Sequence, residues 1–201
     1  GEAAARGYPL GIVTESLGAR DLPQILTHYY RSFSKPLLSI SALSVDERAT
    51  VLAALQGHEP LPFRLAEPEY FPERQRIEKL MRTQFAAKGG RPRREQPHYF
   101  VLGTFSLWEA DGSSKFEIPL ASVPSDALSF TMTDSFFNYR RENLRGIRIP
   151  ERPYHGQLFT LADLPEQIER HGLPGEAWRS DPTRIFDVYV EAQLWSEVPL
   201  P

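Results

Sequence analysis

The residues best suited to chemistry are a carboxylate and its polar neighbours near the end of the chain. In residues 185–195 apolar and polar side chains alternate with the two-residue period of a β-strand. Glu191 therefore shares one face with Asp187, Tyr189 and Gln193. This face is predicted either to meet solvent or to form a site where Glu191 stabilises a developing cation or positions a hydroxyl nucleophile.

A second strand-like segment carries hydroxyl groups with the same alternation. In residues 128–134, the side chains of Ser129, Thr131 and Thr133 share one face. Like the face that carries Glu191, this face is predicted either to meet solvent or to form a site.

Residues 74–94 form the most strongly charged stretch of the chain. They contain eight basic side chains and one acidic side chain, Glu78, which gives a local net charge of +7. Arginines that precede the aromatic pair Tyr99 and Phe100 suit a single-stranded nucleic acid, because they can contact phosphates beside rings that stack on bases. The alternative is a solvated helix face. The candidate nucleic-acid contacts are Arg82, Lys88, Arg91, Arg93 and Arg94.

A second group of arginines lies in residues 138–156, which show no periodicity and are predicted to form an exposed connection or lid. Guanidinium groups bind phosphate oxygens in pairs, so this group could clamp a phosphorylated ligand or the pyrophosphate of a dinucleotide. A solvent loop with internal ion pairs is the alternative. Its members are Arg140, Arg141, Arg145, Arg148 and Arg152.

Several classes of site are not expected. The sequence contains no phosphate-binding glycine loop, no dinucleotide fingerprint, no zinc-protease motif and no calcium loop, and its five histidines do not cluster. We predict no metal. The chain has no cysteine, which favours a reducing, cytoplasmic compartment. Neither a run of 18 apolar residues nor a signal-peptide pattern is present, so we expect neither a membrane span nor an export signal.

The order of predicted elements indicates the fold class. Helices are predicted at 21–30, 44–55, 73–88 and 160–172. Capping boxes begin the helices at 44–55 and 160–172, and Gly89 ends the helix at 73–88. A proline-rich connection at 60–72 precedes the helix at 73–88. Strands are predicted at 37–41, 98–102, 105–108, 116–120, 128–132 and 185–195, with those between 98 and 132 forming a meander. We therefore expect an α+β fold in which an N-terminal helical layer packs on a mainly antiparallel C-terminal sheet. One domain over 1–201 is predicted, helix-rich at 1–96 and strand-rich at 97–201.

The strand order also resembles a known family. An aromatic strand at 98–102, a later Ser/Thr strand at 129–131, and Glu191 shortly before Val198 and Pro199 resemble the layout of ADP-ribosyltransferase-type toxins and enzymes. The resemblance covers residues 97–200. It implies a split antiparallel sheet that binds NAD.

The resemblance also implies roles for individual residues. Glu191 would hold the nicotinamide ribose and stabilise an oxocarbenium-like transition state, and Ser129 or Thr131 would support the sheet beside it. His98 or Tyr99 would contact the cofactor. Arg145 and Arg148, from the second arginine group, are the remaining cofactor-binding candidates. Tyr189 stands where the family's paired motif has Glu or Gln, two positions before the catalytic Glu.

Three functions therefore stay open at this point. The first is NAD-dependent transfer of ADP-ribose to a nucleic-acid or protein acceptor. The second is a non-enzymatic nucleic-acid-binding module that uses residues 74–94. The third is a protein-interaction domain.

The nucleic-acid hypothesis makes a prediction about salt. If residues 74–94 bind the phosphate backbone, affinity falls steeply as salt rises, because binding releases condensed counterions. The double substitution Arg93→Ala and Arg94→Ala should lower the slope of log affinity against log salt by about 2. Titration of labelled single-stranded DNA at several salt concentrations measures this slope. Binding that responds to neither salt nor the substitutions would exclude the module.

Overall fold

A computed structural model describes residues 22–31, 35–55, 68–140, 142, 148–175, 178, 180–184 and 187–199. The helices are α1 (Val45–Leu55), α2 (Tyr70–Ala87), α3 (Ser106–Ala110), α4 (Ser135–Arg140) and α5 (Leu164–His171). The strands are β1 (Ile25–Tyr30), β2 (His98–Leu102), β3 (Ser114–Pro119), β4 (Leu128–Thr131), β5 (Phe159–Thr160) and β6 (Glu191–Leu194). Across these residues no helix is both long enough and apolar enough to cross a bilayer.

The six strands form one antiparallel sheet in the order β3-β1-β2-β6-β4-β5. The α+β prediction is confirmed. The predicted meander is wrong, because β2, β3 and β4 are not neighbours: β1 lies between β2 and β3, and β6 lies between β2 and β4. Alternation within a strand indicates its faces but carries no information about its neighbours.

The helix predicted at 21–30 is wrong, because residues 25–30 form β1. Leu22, Ile25, Leu26 and Tyr29 fit a helical period, but the segment is also rich in β-branched and aromatic residues. Pairing decides between the two: β1 contacts β3 over six positions and β2 over two, so its backbone groups are satisfied within the sheet.

Two predicted strands are also wrong. Residues 37–41 form a turn that leads into a short 3-10 helix at Ile40–Ala42. Residues 105–108 enter α3, where Phe105 and Trp108 pack edge to face at 5.1 Å. Both are short apolar runs, for which periodicity does not distinguish strand from helix.

The capping box at Ser44 is confirmed. Ser44 N–H donates to Glu47 Oε2 at 2.8 Å, and Glu47 N–H donates to Ser44 Oγ at 3.3 Å, at the start of α1. Thr160 and Asp163 exchange the same pair of bonds, but Thr160 ends β5 and α5 begins later than predicted, at Leu164. Gly172, at φ 84°, follows α5 as predicted.

Helix α2 begins at Tyr70, three residues earlier than predicted, and Pro72 lies in its first turn. Ile77, Met81 and Phe85 are buried as expected, but Leu80 is exposed. Of the predicted proline-rich connection at 60–72, residues 60–67 lie outside the described residues.

Each face of the sheet packs against a different layer. On one face, apolar residues of β1, β2, β4 and β6 pack with Leu164 and Ile168 of α5. The other face meets α2 and α4 through a second cluster. That cluster contains Ile77, Met81, Phe85, Phe136, Phe137, Ile149, Leu158 and Trp195.

Two segments differ from their predicted extent. The last strand covers only Glu191–Leu194, and residues 187–190 precede it as irregular backbone. Residues 138–156 are not a purely exposed connection: the first three belong to α4, and Tyr154 is buried and donates a hydrogen bond to Asp187.

The end of α2 yields a stability prediction. A Cβ added to Gly90 would lie 2.4 Å from the buried ring of Phe85. Gly90→Ala should therefore lower the free energy of unfolding by roughly 1–3 kcal/mol, because the packed ring must move. Urea denaturation measures the change. Gly175→Ala is the matched control, since its added Cβ meets only a backbone oxygen at 4.0 Å; equal losses in both variants would contradict the packing argument.

Candidate functional site

The polar face of the sheet is buried. Strand register places Thr27, Val101, Glu191 and Thr131 in one row across β1, β2, β6 and β4. Tyr99, Gln193 and Ser129 form the next row. Glu191 is only 6% exposed and Gln193 is fully buried, so of the two predictions for this face, the solvent surface is excluded.

Glu191 is held by one of its two carboxyl oxygens. Ser135 N–H donates to Glu191 Oε1 at 3.2 Å, and Gln193 Nε2 donates to the same atom at 3.1 Å. Glu191 Oε2 receives no hydrogen bond from the described residues. The side chain is thus oriented while one oxygen stays available.

The predicted hydroxyl residues support this arrangement through Gln193. Ser129 Oγ donates to Gln193 Oε1 at 2.9 Å, and Gln193 Nε2 donates to Thr131 Oγ1 at 3.0 Å. Trp195 Nε1 in turn donates to Ser129 Oγ at 2.9 Å. Ser129 and Thr131 therefore lie with Glu191 in one network, where both fix the neighbour that orients the carboxyl.

Arg74 connects this network to α2. Its Nη1 donates to Ser135 Oγ at 2.8 Å and to Tyr99 OH at 3.4 Å, and its guanidinium lies 4.8 Å from the centre of the Tyr99 ring. Arg74 belongs to the cation-rich stretch for which a solvated helix face is one prediction. For Arg74 that prediction is wrong, because its side chain is buried against the sheet.

Glu78, one turn further along α2, is bound in the same way as Glu191. Ser41 Oγ and Tyr99 OH both donate to Glu78 Oε1 at 2.8 Å. Its Oε2 is buried and has no hydrogen-bond partner. Tyr99 therefore lies between Arg74 and Glu78 and contacts both.

Burial and like charge shift the pKa values of the carboxyls. Burial and the nearby Asp134 charge raise the pKa of Glu191 to about 7, although Arg74 acts in the opposite direction. Burial also raises the pKa of Glu78, again against Arg74. The Arg74 guanidinium thus faces three carboxyl groups, those of Glu191, Asp134 and Glu78. Because the pKa of Glu191 is about 7, its carboxyl is partly protonated at neutral pH.

The sheet opens between β1 and β2 beside this network. The two strands pair only at Leu26–Leu102 and Thr27–Val101. Beyond this point His28 bridges the gap: its Nδ1 donates to Tyr99 O at 2.8 Å, because Nε2 accepts from Leu37 N–H at 3.0 Å. Both ring nitrogens are used, and burial lowers the pKa of His28, so this histidine has a structural role.

Two chambers flank Tyr99 at this opening. The His98 chamber has a volume of about 160 Å³. Its lining includes His28, Ser41, Tyr70, Glu78, His98 and Tyr99. The Trp108 chamber has a volume of about 110 Å³. Its lining includes Thr27, Tyr29, Tyr99, Trp108, Tyr189 and Glu191.

The structure brings some predicted cofactor residues together and not others. His98 and Tyr99 line the chambers, and the Nδ1 atom of His98 is buried without a partner. Burial lowers the pKa of His98 to about 4, so its ring is neutral near pH 7. Arg148 is exposed in an isolated bridge with Glu142 and is not among the described lining residues. Arg145 lies outside the described residues.

The remaining second-group arginines do not converge on either chamber. Arg140 stacks over Phe136 at 5.7 Å, and Arg152 donates to Thr183. Arg141 lies outside the described residues.

The cations of residues 74–94 are largely paired with acids from outside that stretch. The pairs are Arg76 with Glu73, Arg82 with Glu95, Lys88 with Asp163, Arg91 and Arg93 with Asp126, and Arg94 with Glu197. The local excess of positive charge is therefore much smaller than the sequence window indicates. Because exposed ion pairs contribute little and can exchange partners, nucleic-acid binding by this surface stays a prediction.

Sequence reasoning missed Arg74, Glu78, Asp134 and Trp108 as members of the site. A signal for the first two was present. Positions 74 and 78 have the same helical spacing as Ile77, Met81 and Phe85, so they share the buried stripe of α2. Asp134, which accepts from Phe136 N–H and Tyr189 OH, had no comparable signal.

The residues of the Trp108 chamber fit part of NAD. Tyr29, Trp108 and Tyr189 offer rings for a planar heterocycle, and Glu191 offers a carboxyl for ribose hydroxyls. Sites for ligands of drug size span about 300 Å³ or more, so this chamber suits one ring and not a whole dinucleotide.

Comparisons of the chain with protein-family models, with curated proteins and with solved structures found no match. The residues of this site therefore carry the functional argument.

The raised pKa of Glu191 predicts how stability depends on pH. Between pH 4.5 and about 7 the unfolded chain loses the Glu191 proton while the folded chain keeps it, so this group lowers the free energy of unfolding as pH rises. Glu191→Gln removes the effect. Relative to wild type, the variant should gain a few kcal/mol between pH 4.5 and 7, measured by urea denaturation. The lowered pKa of His98 makes the free energy of unfolding rise with pH. This effect is present in both proteins and cancels when they are compared. Parallel pH profiles would contradict a protonated Glu191.

Proposed function

We propose that this protein is an enzyme of the ADP-ribosyltransferase type, in which Glu191 acts on the bond between nicotinamide and its ribose in NAD. One observation carries the proposal. The carboxyl of Glu191 is buried, is oriented through Oε1, and lines a chamber of aromatic rings with Oε2 not hydrogen-bonded by the described residues.

The chemistry of this bond suits a buried carboxylate. As the bond between carbon and nitrogen breaks, positive charge develops on the ribose ring, and a fixed negative group beside it stabilises the transition state. The hydrogen bonds from Ser135 and Gln193 hold Glu191 in place, so little reorganisation is needed. With a pKa of about 7, the required carboxylate form increases as pH rises through neutrality.

The aromatic lining supports a cationic ring as the ligand. The nicotinamide ring of NAD carries a positive charge, and the faces of Trp and Tyr attract cations within about 6 Å of the ring centre. Trp108 and Tyr189 lie 5.2 Å apart, centre to centre, and both line the chamber with Glu191. The opening between β1 and β2 is consistent with the split sheet that the family resemblance implies.

The acceptor of the ADP-ribose group is proposed to be a nucleic acid or a protein. The charged surface at residues 82–94 is the proposed contact for a nucleic-acid acceptor. Its paired cations would have to exchange Asp126, Asp163 and Glu197 for phosphates.

Nicotinamide release from NAD tests the proposal. We expect release by wild type and a loss of about 100-fold or more in Glu191→Gln, the range for removing a catalytic acid–base or charge-stabilising group. The rate is measured with and without added DNA, RNA and a protein mixture, so that stimulation identifies the acceptor class.

Glu117→Gln is the matched control. Glu117 lies on β3, is partly exposed and pairs with Lys115, so the same substitution there should leave release unchanged. If folded wild type releases no nicotinamide under any of these conditions, the proposal is wrong.

A further inference from the structure

The two carboxyl groups around Arg74 share an unusual pattern. Glu78 and Glu191 each have Oε1 fixed by two donors, while Oε2 receives no hydrogen bond from the described residues. Arg74 donates to a neighbour of each, Tyr99 beside Glu78 and Ser135 beside Glu191. Networks with a purely structural role leave few buried polar atoms unpaired, so the buried and unpaired Oε2 of Glu78 points to a ligand contact.

A second unpaired atom lines the same chamber as Glu78. His98 Nδ1 is buried without a hydrogen-bond partner, and both residues line the His98 chamber. Both side chains are more than nine-tenths buried. Together they offer one acceptor and one atom that donates or accepts, which matches a hydroxyl group.

Opposite charges line the chamber, the guanidinium of Arg74 and the carboxyl of Glu78. Arg74 donates through Nε and Nη1 to Tyr70, Tyr99 and Ser135. His28 uses both ring nitrogens, and the low pKa of His98 keeps its ring neutral. Because the two charges offset each other and Glu78 Oε2 is buried without a partner, the chamber favours an uncharged ligand with a hydrogen to donate.

We infer that the His98 chamber is the acceptor subsite of the proposed enzyme and that Glu78 is the base that takes the proton of an acceptor hydroxyl. This inference rests on the proposed function. His28 and Tyr99 line both chambers, so the two chambers are neighbours along β1 and β2. Burial raises the pKa of Glu78 and thereby makes it a stronger base.

The step balances without a further reactant. The acceptor oxygen forms a bond to the ribose carbon while the bond from that carbon to the nicotinamide nitrogen breaks. The electron pair of the broken bond leaves with nicotinamide, which becomes neutral. The hydroxyl proton passes to Glu78 Oε2, so no oxidant or reductant is required.

Methanol is the probe for the subsite, because it is a small hydroxyl that fits the chamber. Transfer of ADP-ribose to methanol is measured together with NAD binding, which is followed by isothermal titration calorimetry. Glu78→Gln should lower transfer about 100-fold while NAD binding is unchanged. His98→Asn should also lower transfer, and a melting curve checks that each variant is folded.

Glu73→Gln is the control on the same helix, since Glu73 pairs with Arg76 outside the chamber and should transfer at the wild-type rate. If Glu78→Gln does not fold, Ser41→Ala removes one of the donors that fix Glu78 and should slow transfer with NAD binding intact.

The outcomes separate the two proposals. Transfer that depends on Glu191 but not on Glu78 rejects the acceptor subsite alone. A wild type that releases no nicotinamide rejects the proposed function, and the subsite is rejected with it. A fall in NAD binding equal to the fall in transfer assigns Glu78 to the donor site and also rejects the subsite.

Discussion

The buried guanidinium of Arg74 makes it possible for a polar sheet face to be covered by helices. Burying carboxyl groups without a counter-charge costs several kcal/mol per ion, and the face covered by α2 and α4 presents Glu191 with Asp134 beside it. Arg74 offsets this cost from the opposite layer, because it acts electrostatically on both carboxyls and donates to Ser135. The position of α2 over the sheet therefore depends on electrostatics as well as on the contacts of Ile77, Met81 and Phe85.

Glu78 and Glu191 are each hydrogen-bonded through one carboxyl oxygen, while the other oxygen receives no hydrogen bond from the described residues. A backbone and an amide donor fix Oε1 of Glu191, and two hydroxyl donors fix Oε1 of Glu78. Both residues line the chambers at the opening of the sheet. His28 contributes to the opening itself, since its ring binds the carbonyl oxygen of Tyr99 in β2 and the N–H of Leu37 in the turn after β1. An opening in a sheet normally leaves backbone groups unpaired, and here the imidazole satisfies one of those on β2.

The sequence predicts local features of this protein better than its long-range pairings. Helix α1 follows from the Ser44–Glu47 capping box, the end of α5 from Gly172, and the strand at Leu128–Thr131 from its alternation. β1 could not be predicted, because Leu22, Ile25 and Leu26 fit both periods and only contact with distant β3 decides between them. In the site, alternation placed Ser129 and Thr131 on one face of their strand and Glu191 on the polar face of another, and only the family resemblance put the two strands together. Arg74 was missed because charge in a sequence window does not show which side a helix buries.

The cation-rich stretch shows the same limit. Its acidic partners Asp126, Asp163 and Glu197 lie 33 or more positions from the cations they meet. The net charge of residues 74–94 therefore overstates the positive potential of the folded surface, because distant acids neutralise many of these cations. Sequence patterns describe what a segment carries, whereas the potential at its surface depends on the whole fold.

The position of β6 has a consequence for how the chain acquires its structure. β6 is the sixth strand in chain order, yet it lies in the interior of the sheet between β2 and β4, and its partner residue Val101 is 90 positions from Glu191. Contacts between residues so far apart form slowly, because a long loop must close before they contribute. During synthesis, β2 and β4 therefore each keep one edge unpaired until β6 emerges from the ribosome. Chaperones that shield exposed strand edges would act on this protein mainly in that interval.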